Sequence, residues 1–339
     1  MIDLGVGSAD LLKEILEKYI QDSFLESDIL SGMPYNKNGP LSFVVETIYK
    51  IHEKFHPGLI KPTTKIVIGS GASQLISCFF HINKKVKITS PYWFRIPVMS
   101  SMKNSELLLI EQLNNDSNHL DNDSNRLNND FYTKLITYPN NPDGKLQTGE
   151  RSSDWYDAVY LWPWYMEKDT YENALKQITT APKKAMIFSL SKMTGHCGVR
   201  FGWALVDDED LYNEICDYME YESGGLGFDT QLKTEEIMSN VLDNKNWEKA
   251  LKQIEETLKY RKKQLLEMCK LHKWQYDAAP GMFAWVSTDD NSIFYKLNEL
   301  NIKSTPGSKC GGFPNQIRLN LAVSTNTWKG FVKVLENRG

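Results

Sequence analysis

Phe188-Ser-Leu-Ser-Lys-Met-Thr-Gly-His-Cys-Gly-Val-Arg-Phe-Gly-Trp203 joins two short apolar runs, Ala185-Met-Ile-Phe188 and Trp203-Ala-Leu-Val206. Each run reads as a buried strand. Between them stand two hydroxyls (Ser189, Ser191), one lysine (Lys192) and, eight residues further on, Arg200. A lysine at the end of a buried strand loses hydration, so that part of its amine is neutral and nucleophilic. The serines and the arginine supply what a phosphate dianion takes, hydroxyl donors and a planar charged fork. An amine nucleophile beside a phosphate cradle points to pyridoxal phosphate held on Lys192 as a Schiff base. A solvated loop lysine between two strands accounts for the same residues, and the stretch alone does not separate the two.

Outward from this stretch, strand and helix alternate. Strands are expected at Lys65-Ile-Val-Ile68, Lys85-Val-Lys-Ile88, Glu106-Leu-Leu-Leu-Ile110 and Lys134-Leu-Ile-Thr137, and a short one is expected to end in Asp157-Ala-Val-Tyr160. Helices are expected over about 10–24, 41–55, 74–80, 208–222, 229–242 and 246–272. Such alternation predicts an α/β fold, a mostly parallel sheet between helices. The last sixty-odd residues, with strands at Met282-Phe-Ala-Trp-Val286 and Gln316-Ile-Arg-Leu-Asn-Leu321 between helices at about 291–300 and 325–337, predict a smaller α+β domain. The expected division is 41–245 for the large domain, with 1–40 and 246–339 forming the small one. Residues 113–130 are an imperfect seven-residue repeat rich in Asn and Asp. One leucine per unit opposes a coiled coil, so a surface excursion without a role in the chemistry is expected.

Composition sets bounds. The net charge of −4 over 339 residues gives no electrostatic reason to expect nucleic acid or an anionic membrane as partner. No apolar stretch is long enough to span a bilayer, and the first residues carry no basic n-region with an apolar core. Five cysteines without a Cys-x-x-Cys pair, and six scattered histidines, suggest reduced thiols and no metal site. A cytoplasmic enzyme is the expectation.

Other residues carry candidate chemistry. Asp157 can hold a pyridine nitrogen protonated, and Tyr160 with Asn141 can hydrogen-bond a phenolic oxygen. Gly71-Ala72-Ser73 lies where a strand turns into a helix, a ready anion site. Trp93, in Ser90-Pro-Tyr-Trp93, can stack on a flat ring. Arg318, alone in an alternating strand, either faces solvent or clamps a carboxylate. Singly, each also has an ordinary structural reading as a cap, a core ring or a turn residue.

Their order along the chain resembles that of fold-type I pyridoxal-phosphate enzymes. Tyr138-Pro-Asn-Asn-Pro-Asp-Gly144, Tyr160-Leu-Trp-Pro-Trp-Tyr165, the Ser189–Val206 stretch and Asp229-Thr-Gln-Leu232 resemble the alliinase and plant tryptophan aminotransferase branch. The resemblance implies Lys192 as the Schiff-base lysine and acid/base, and Asp157 as partner of the pyridine nitrogen. It implies Asn141 and Tyr160 on the phenolic oxygen, Gly71, Ala72, Ser73, Ser189 and Arg200 on the phosphate, and Trp93 stacked on the ring. Arg318, with Asn141 and Gly5, would hold the substrate. Tyr35 resembles the tyrosine that reaches the neighbouring subunit's phosphate, which implies a homodimer. The cysteine-rich module that precedes the catalytic part of plant alliinases is not seen ahead of the first active-site loop, an expectation against a secreted, disulfide-bonded form.

The activity expected is transfer of an amino group from an L-amino acid to a 2-oxo acid. Tyr92, Trp93, Trp162, Trp164 and Tyr165 make an aromatic donor conceivable, although core packing explains most such rings. The alternatives are a C–S lyase acting on cysteine derivatives by β-elimination, with the same cofactor and lysine, and a non-catalytic binding protein on the same fold.

Overall fold

A computed structural model describes residues 2–4, 10–19, 40–110 and 132–337. In chain order the elements are β1 (Ile2–Asp3), α1 (Asp10–Tyr19), α2 (Ser42–Phe55), β2 (Lys65–Ser70), α3 (Ala72–Ile82), β3 (Lys85–Thr89), α4 (Ile96–Met102) and β4 (Glu106–Ile110). Then follow β5 (Thr133–Thr137), β6 (Trp155–Asp157), α5 (Lys168–Thr180), β7 (Ala185–Ser189), α6 (Leu190–Met193) and β8 (Phe201–Val206). The remainder is α7 (Glu209–Ser223), α8 (Phe228–Asp243), α9 (Lys245–His272), β9 (Gln275–Tyr276), β10 (Phe283–Ser287), α10 (Ile293–Glu299), β11 (Ile302–Lys303), β12 (Thr305–Pro306), β13 (Gln316–Asn320) and α11 (Thr325–Glu336).

Seven strands form one sheet in the order β2-β8-β7-β6-β5-β3-β4. β8 is antiparallel to both its neighbours, and the other pairs that adjoin are parallel. β6, β7 and β8 are buried along their whole length, as strands covered on both faces must be. The two-residue side-chain period divides them between two cores. Ala185 and Ile187 join Phe79, Phe80 and Ile215 on one face, while Met186 and Phe188 join Trp162, Trp203 and Ile48 on the other. A second, antiparallel sheet runs β12-β13-β10-β9, and β1 pairs with β11. The α/β architecture with a small additional sheet therefore matches the expectation.

Several local expectations need correction. Ser73 belongs to the first turn of α3, not to the turn before it, because the chain reverses at Gly71 with φ at 72°. β6 stops at Asp157, so Tyr160 lies in the loop that follows, where the Leu161 N–H donates to the Ala158 carbonyl. Lys192 sits on the short helix α6 and not on the strand end. Besides α6, two helices, α4 and α5, were not expected. α5 buries Tyr171, Ala174, Leu175 and Ile178 at helical spacing, a pattern present in the sequence. The expected helix beyond Tyr19, Gly5, Tyr35 and the 113–130 repeat lie outside the described residues.

Beneath the sheet, α2 and the residue that caps its C-terminus present two buried histidines, His52 and His56. His52 Nε2 accepts from the Trp203 indole N–H at 2.8 Å, and His56 Nε2 lies 2.6 Å from the Leu161 carbonyl oxygen. Burial holds both below the ordinary imidazole value, His56 at about 4. A base whose folded pKa is depressed costs stability as pH falls, since below about 6.5 the unfolded chain takes a proton the folded one refuses. His56 alone is expected to cost roughly 3 kcal/mol between pH 6.5 and 4. Urea unfolding across that range should show a shallower pH slope for His56→Phe than for the parent chain; equal slopes would contradict this.

Candidate active site

The carboxyl edge of the large sheet collects the candidate residues. β2 ends into the Gly71 turn, β3 leads to Trp93, β5 to Asn141, β6 ends on Asp157, and β7 runs through Ser189 into Lys192. β8 runs the other way, so its entry residue Arg200 arrives at the same edge, with Phe201 opposite Ser70 and Gly202 opposite Ser189. Parallel sheets bind ligands at this edge because loops leave every strand there. A cavity of about 540 Å³ opens at this edge, lined by Ala72, Ser73, Trp93, Asn141, Asp157, Tyr160, Ser189, Lys192, Arg200 and Arg318 among others.

Lys192 is half-buried, its Nζ 6.0 Å from the Tyr160 ring centroid. Burial is the largest influence on its amine and lowers it from the ordinary lysine value; Arg318 and Arg200 add to this, while the Cys197 thiol and Asp157 oppose it. A larger neutral fraction results, which a nucleophile or base requires. The Tyr165 hydroxyl donates to the Lys192 carbonyl oxygen at 2.7 Å and fixes the turn that carries the amine. Asp157 is 5 % exposed, and burial pushes its carboxyl up to about 7, against the Val159 N–H, Lys192 and the Thr137 hydroxyl. Its Oδ1 is buried without a hydrogen-bond partner among the described residues. Such an oxygen is costly unless a ligand pairs with it.

A polar chain crosses the cavity floor. Arg318 is 1 % exposed, so the solvent-facing alternative is excluded. Its Nη1 donates to Asn141 Oδ1 at 2.9 Å and its Nη2 to the Thr305 hydroxyl at 3.2 Å. The same Asn141 donates through Nδ2 to the Tyr160 hydroxyl at 3.0 Å. One amide thus ties the arginine to the phenol. The Phe283 ring lies 4.3 Å from the Arg318 guanidinium carbon and supports its flat face.

At the other end Arg200, with φ at 58°, takes the left-handed conformation and donates to the Cys197 carbonyl at 2.9 Å. Its guanidinium covers the Gly71 turn so closely that a Cβ on Gly71 would lie 2.6 Å from Nη2. A non-glycine residue in that region is strained, a cost the surroundings must impose. Gly202 makes the approach possible, because a Cβ there would meet the Ala72 nitrogen and the Gly71 carbonyl carbon at 2.5 Å. Ser73, Ser189 and Ser191 add hydroxyls, although Ser189 Oγ also donates to the Phe201 carbonyl at 3.4 Å and accepts from the Ser191 N–H at 3.2 Å.

The cavity includes residues that sequence reasoning passed over, among them Phe94, Arg95, Cys197 and Phe283, and it also takes in Ser191, one of the two hydroxyls singled out beside Lys192. Thr305, the partner of Arg318, was missed because it reaches the site only through β12–β13 pairing, with no local signal. Of the aromatic cluster, Trp93 lines the cavity, whereas Trp162, Trp164 and Tyr165 are core rings.

The Allinase family model matches residues 32–265, more than half of the chain. The chain belongs to the allinase family. This allinase-family chain is 25 % identical to tryptophan aminotransferase-related protein 3 of Arabidopsis thaliana, over 99 % of its own length and 78 % of that protein. It is 36 % identical to alliin lyase 1 of Allium sativum over 33 % of this chain and 21 % of that one. Among solved structures, the aromatic aminotransferase of Pyrococcus horikoshii superposes with a TM-score of 0.76 at 17 % identity, covering 99 % of this chain and 95 % of the other. The aspartate aminotransferase of Thermotoga maritima gives 0.74 at 18 % identity, with 99 % and 91 % covered. The allinase-family chain therefore has the aspartate aminotransferase-like, fold-type I architecture, and its family is pyridoxal-phosphate-dependent.

Proposed function

We propose that this chain is a pyridoxal-phosphate-dependent aminotransferase that moves the amino group of an L-amino acid to a 2-oxo acid. The observation that carries the reading is the convergence of Lys192, Asp157, Arg200 and Arg318 on one cavity, with the Asp157 Oδ1 left for a ligand. The residues fit the cofactor. Asp157 would take the pyridine nitrogen and keep a proton on it, and Tyr160 with Asn141 would hold the phenolic oxygen. Arg200 with the Gly71, Ala72 and Ser73 turn, helped by Ser189, would hold the phosphate, and Trp93 would cover the ring. When bound, the cofactor supplies a carbonyl that takes up the amino group and a ring that delocalises the electrons left at Cα.

The chain supplies the rest. Arg318 holds the α-carboxylate of the substrate, with Asn141 beside it, so that the Cα–H bond is presented to Lys192. The Lys192 amine takes the proton from Cα and returns it elsewhere in the same cavity, which burial favours by lowering its affinity for a proton. Asp157, itself buried, would stabilise a positive charge on the pyridine nitrogen when the cofactor is bound. Two such half-reactions exchange an amino acid for its 2-oxo acid and a second 2-oxo acid for its amino acid.

The near full-length match to an aminotransferase-related protein favours this reading over C–S lysis, since the alliin lyase match spans a third of the chain. A homodimer and a cytoplasmic location accompany the proposal. Product analysis tests it: an L-amino acid, aromatic ones first, incubated with a 2-oxo acid should yield the exchanged pair in equal amounts. Release of pyruvate and ammonia from an S-substituted cysteine, with no exchange, would replace transfer by elimination.

Gly202→Ala is expected to weaken cofactor retention by roughly 10- to 100-fold, because the new methyl pushes the Gly71–Ala72 turn off the Arg200 strand. Equilibrium dialysis of the purified variant checks this. Unchanged retention would mean that the turn yields without loss.

A further inference from the structure

Four cationic side chains line the cavity (Arg95, Lys192, Arg200 and Arg318), while Asp157 is the one acidic residue among its described lining. The aminotransferase reading uses three of these cations and leaves Arg95 over. Arg95 is exposed at the N-terminal end of α4, next to Trp93 and Phe94. Its guanidinium carbon lies 6.0 Å from the Trp93 ring centroid and 5.8 Å from that of Phe94. Aromatic faces hold the flat side of a guanidinium and leave its N–H edge for a planar anion. Among the described residues no acidic side chain pairs with it.

The Phe94 ring also links Arg95 to Arg318. Arg318 lies 5.7 Å from the same ring centroid, so the two guanidinium carbons stand no more than about 12 Å apart. Arg200 packs on the Gly71 turn at the other end. Arg95 thus shares the Phe94 ring with Arg318, the arginine at the substrate end. A dicarboxylate of four or five carbons, paired through N–H···O contacts of about 2.8 Å at each terminus, bridges a gap of that size. A short monocarboxylate engages Arg318 alone.

We propose that Arg95 recognises a second, distal carboxylate, and that the 2-oxo substrate of this chain is a dicarboxylate of four or five carbons. The inference rests on the aminotransferase reading for the word substrate, but the subsite itself is a binding property. Arg95 is a specificity residue here. It decides which acid is retained once Arg318 has taken the α-carboxylate.

The test is calorimetric titration of the cofactor-loaded protein with glutarate and with butyrate, which differ by the distal carboxylate and do not react. The parent chain is expected to bind glutarate roughly 10- to 100-fold more tightly. In Arg95→Gln that preference should fall to within about threefold, and Arg95→Lys should keep part of it because the charge survives without the fork. Absence of the preference in the parent chain, or its persistence in Arg95→Gln, would overturn the proposal. The side chain is exposed, so neither substitution threatens the fold. Failure of the two readings is distinguishable. A preference that tracks Arg95 without amino transfer sinks the transferase reading and keeps the subsite, whereas transfer without such a preference does the reverse.

Discussion

Lys192→Ala is expected to abolish amino transfer, lowering turnover by at least about 10⁴-fold, the upper range for a lost acid/base group. Lys192 is the only lysine among the described residues that line the cavity, and burial keeps its amine below the ordinary value. Its backbone is pinned separately, by the Tyr165 hydroxyl on the Lys192 carbonyl, so truncation of the side chain leaves the turn in place. Lys192→Arg should not rescue, since a guanidinium stays protonated and cannot take a proton from Cα. Steady-state rates with a donor and an acceptor acid, alongside near-ultraviolet circular dichroism to confirm folding, check this. A folded Lys192→Ala variant within tenfold of the parent would place the proton transfer on another group.

Asp157→Asn pairs a loss with a gain. Turnover should fall by on the order of 10² to 10³, the loss of one preorganised charge at a developing one. Stability of the cofactor-free protein should move the other way. An acid whose folded pKa is raised contributes most below its unfolded value, and that contribution is lost as pH rises through the folded value. With Asp157 near 7 in the folded chain, the variant should gain up to about 4 kcal/mol relative to the parent between pH 4 and 8. Urea unfolding at the two pH values measures the gain. No change in the difference would mean that the carboxylate is already paired without a ligand.

Much of this was legible in the chain because several strands lead into residues with chemistry to offer. The fully apolar runs at 185–188 and 203–206 marked covered strands, with Lys192 and Arg200 between them as an amine and a phosphate-binding fork. Register alone decides that Arg200 shares a sheet edge with Lys192, and the antiparallel run of β8 is not written in its composition. Arg318 shows the limit more sharply. Its strand alternates equally well for a solvent-facing or a buried arginine, and the decision comes from Asn141 and Thr305, which reach it only through the folded chain. The spacing of α5 was present and passed over, whereas Gly202 reads as a glycine without its neighbour, Ala72. Tyr165 was visible as an aromatic residue, but its hydroxyl contact with Lys192 depends on how the 160–165 loop folds back.

The most direct measurement is the visible absorption of the purified, cofactor-loaded protein before and after one equivalent of an L-amino acid, with no oxo acid present. The account predicts that the cofactor band converts stoichiometrically to that of the aminated cofactor and returns when a 2-oxo acid is added. A band that survives every amino acid donor, while an S-substituted cysteine releases pyruvate and ammonia, would contradict amino transfer and leave elimination as the chemistry of the site.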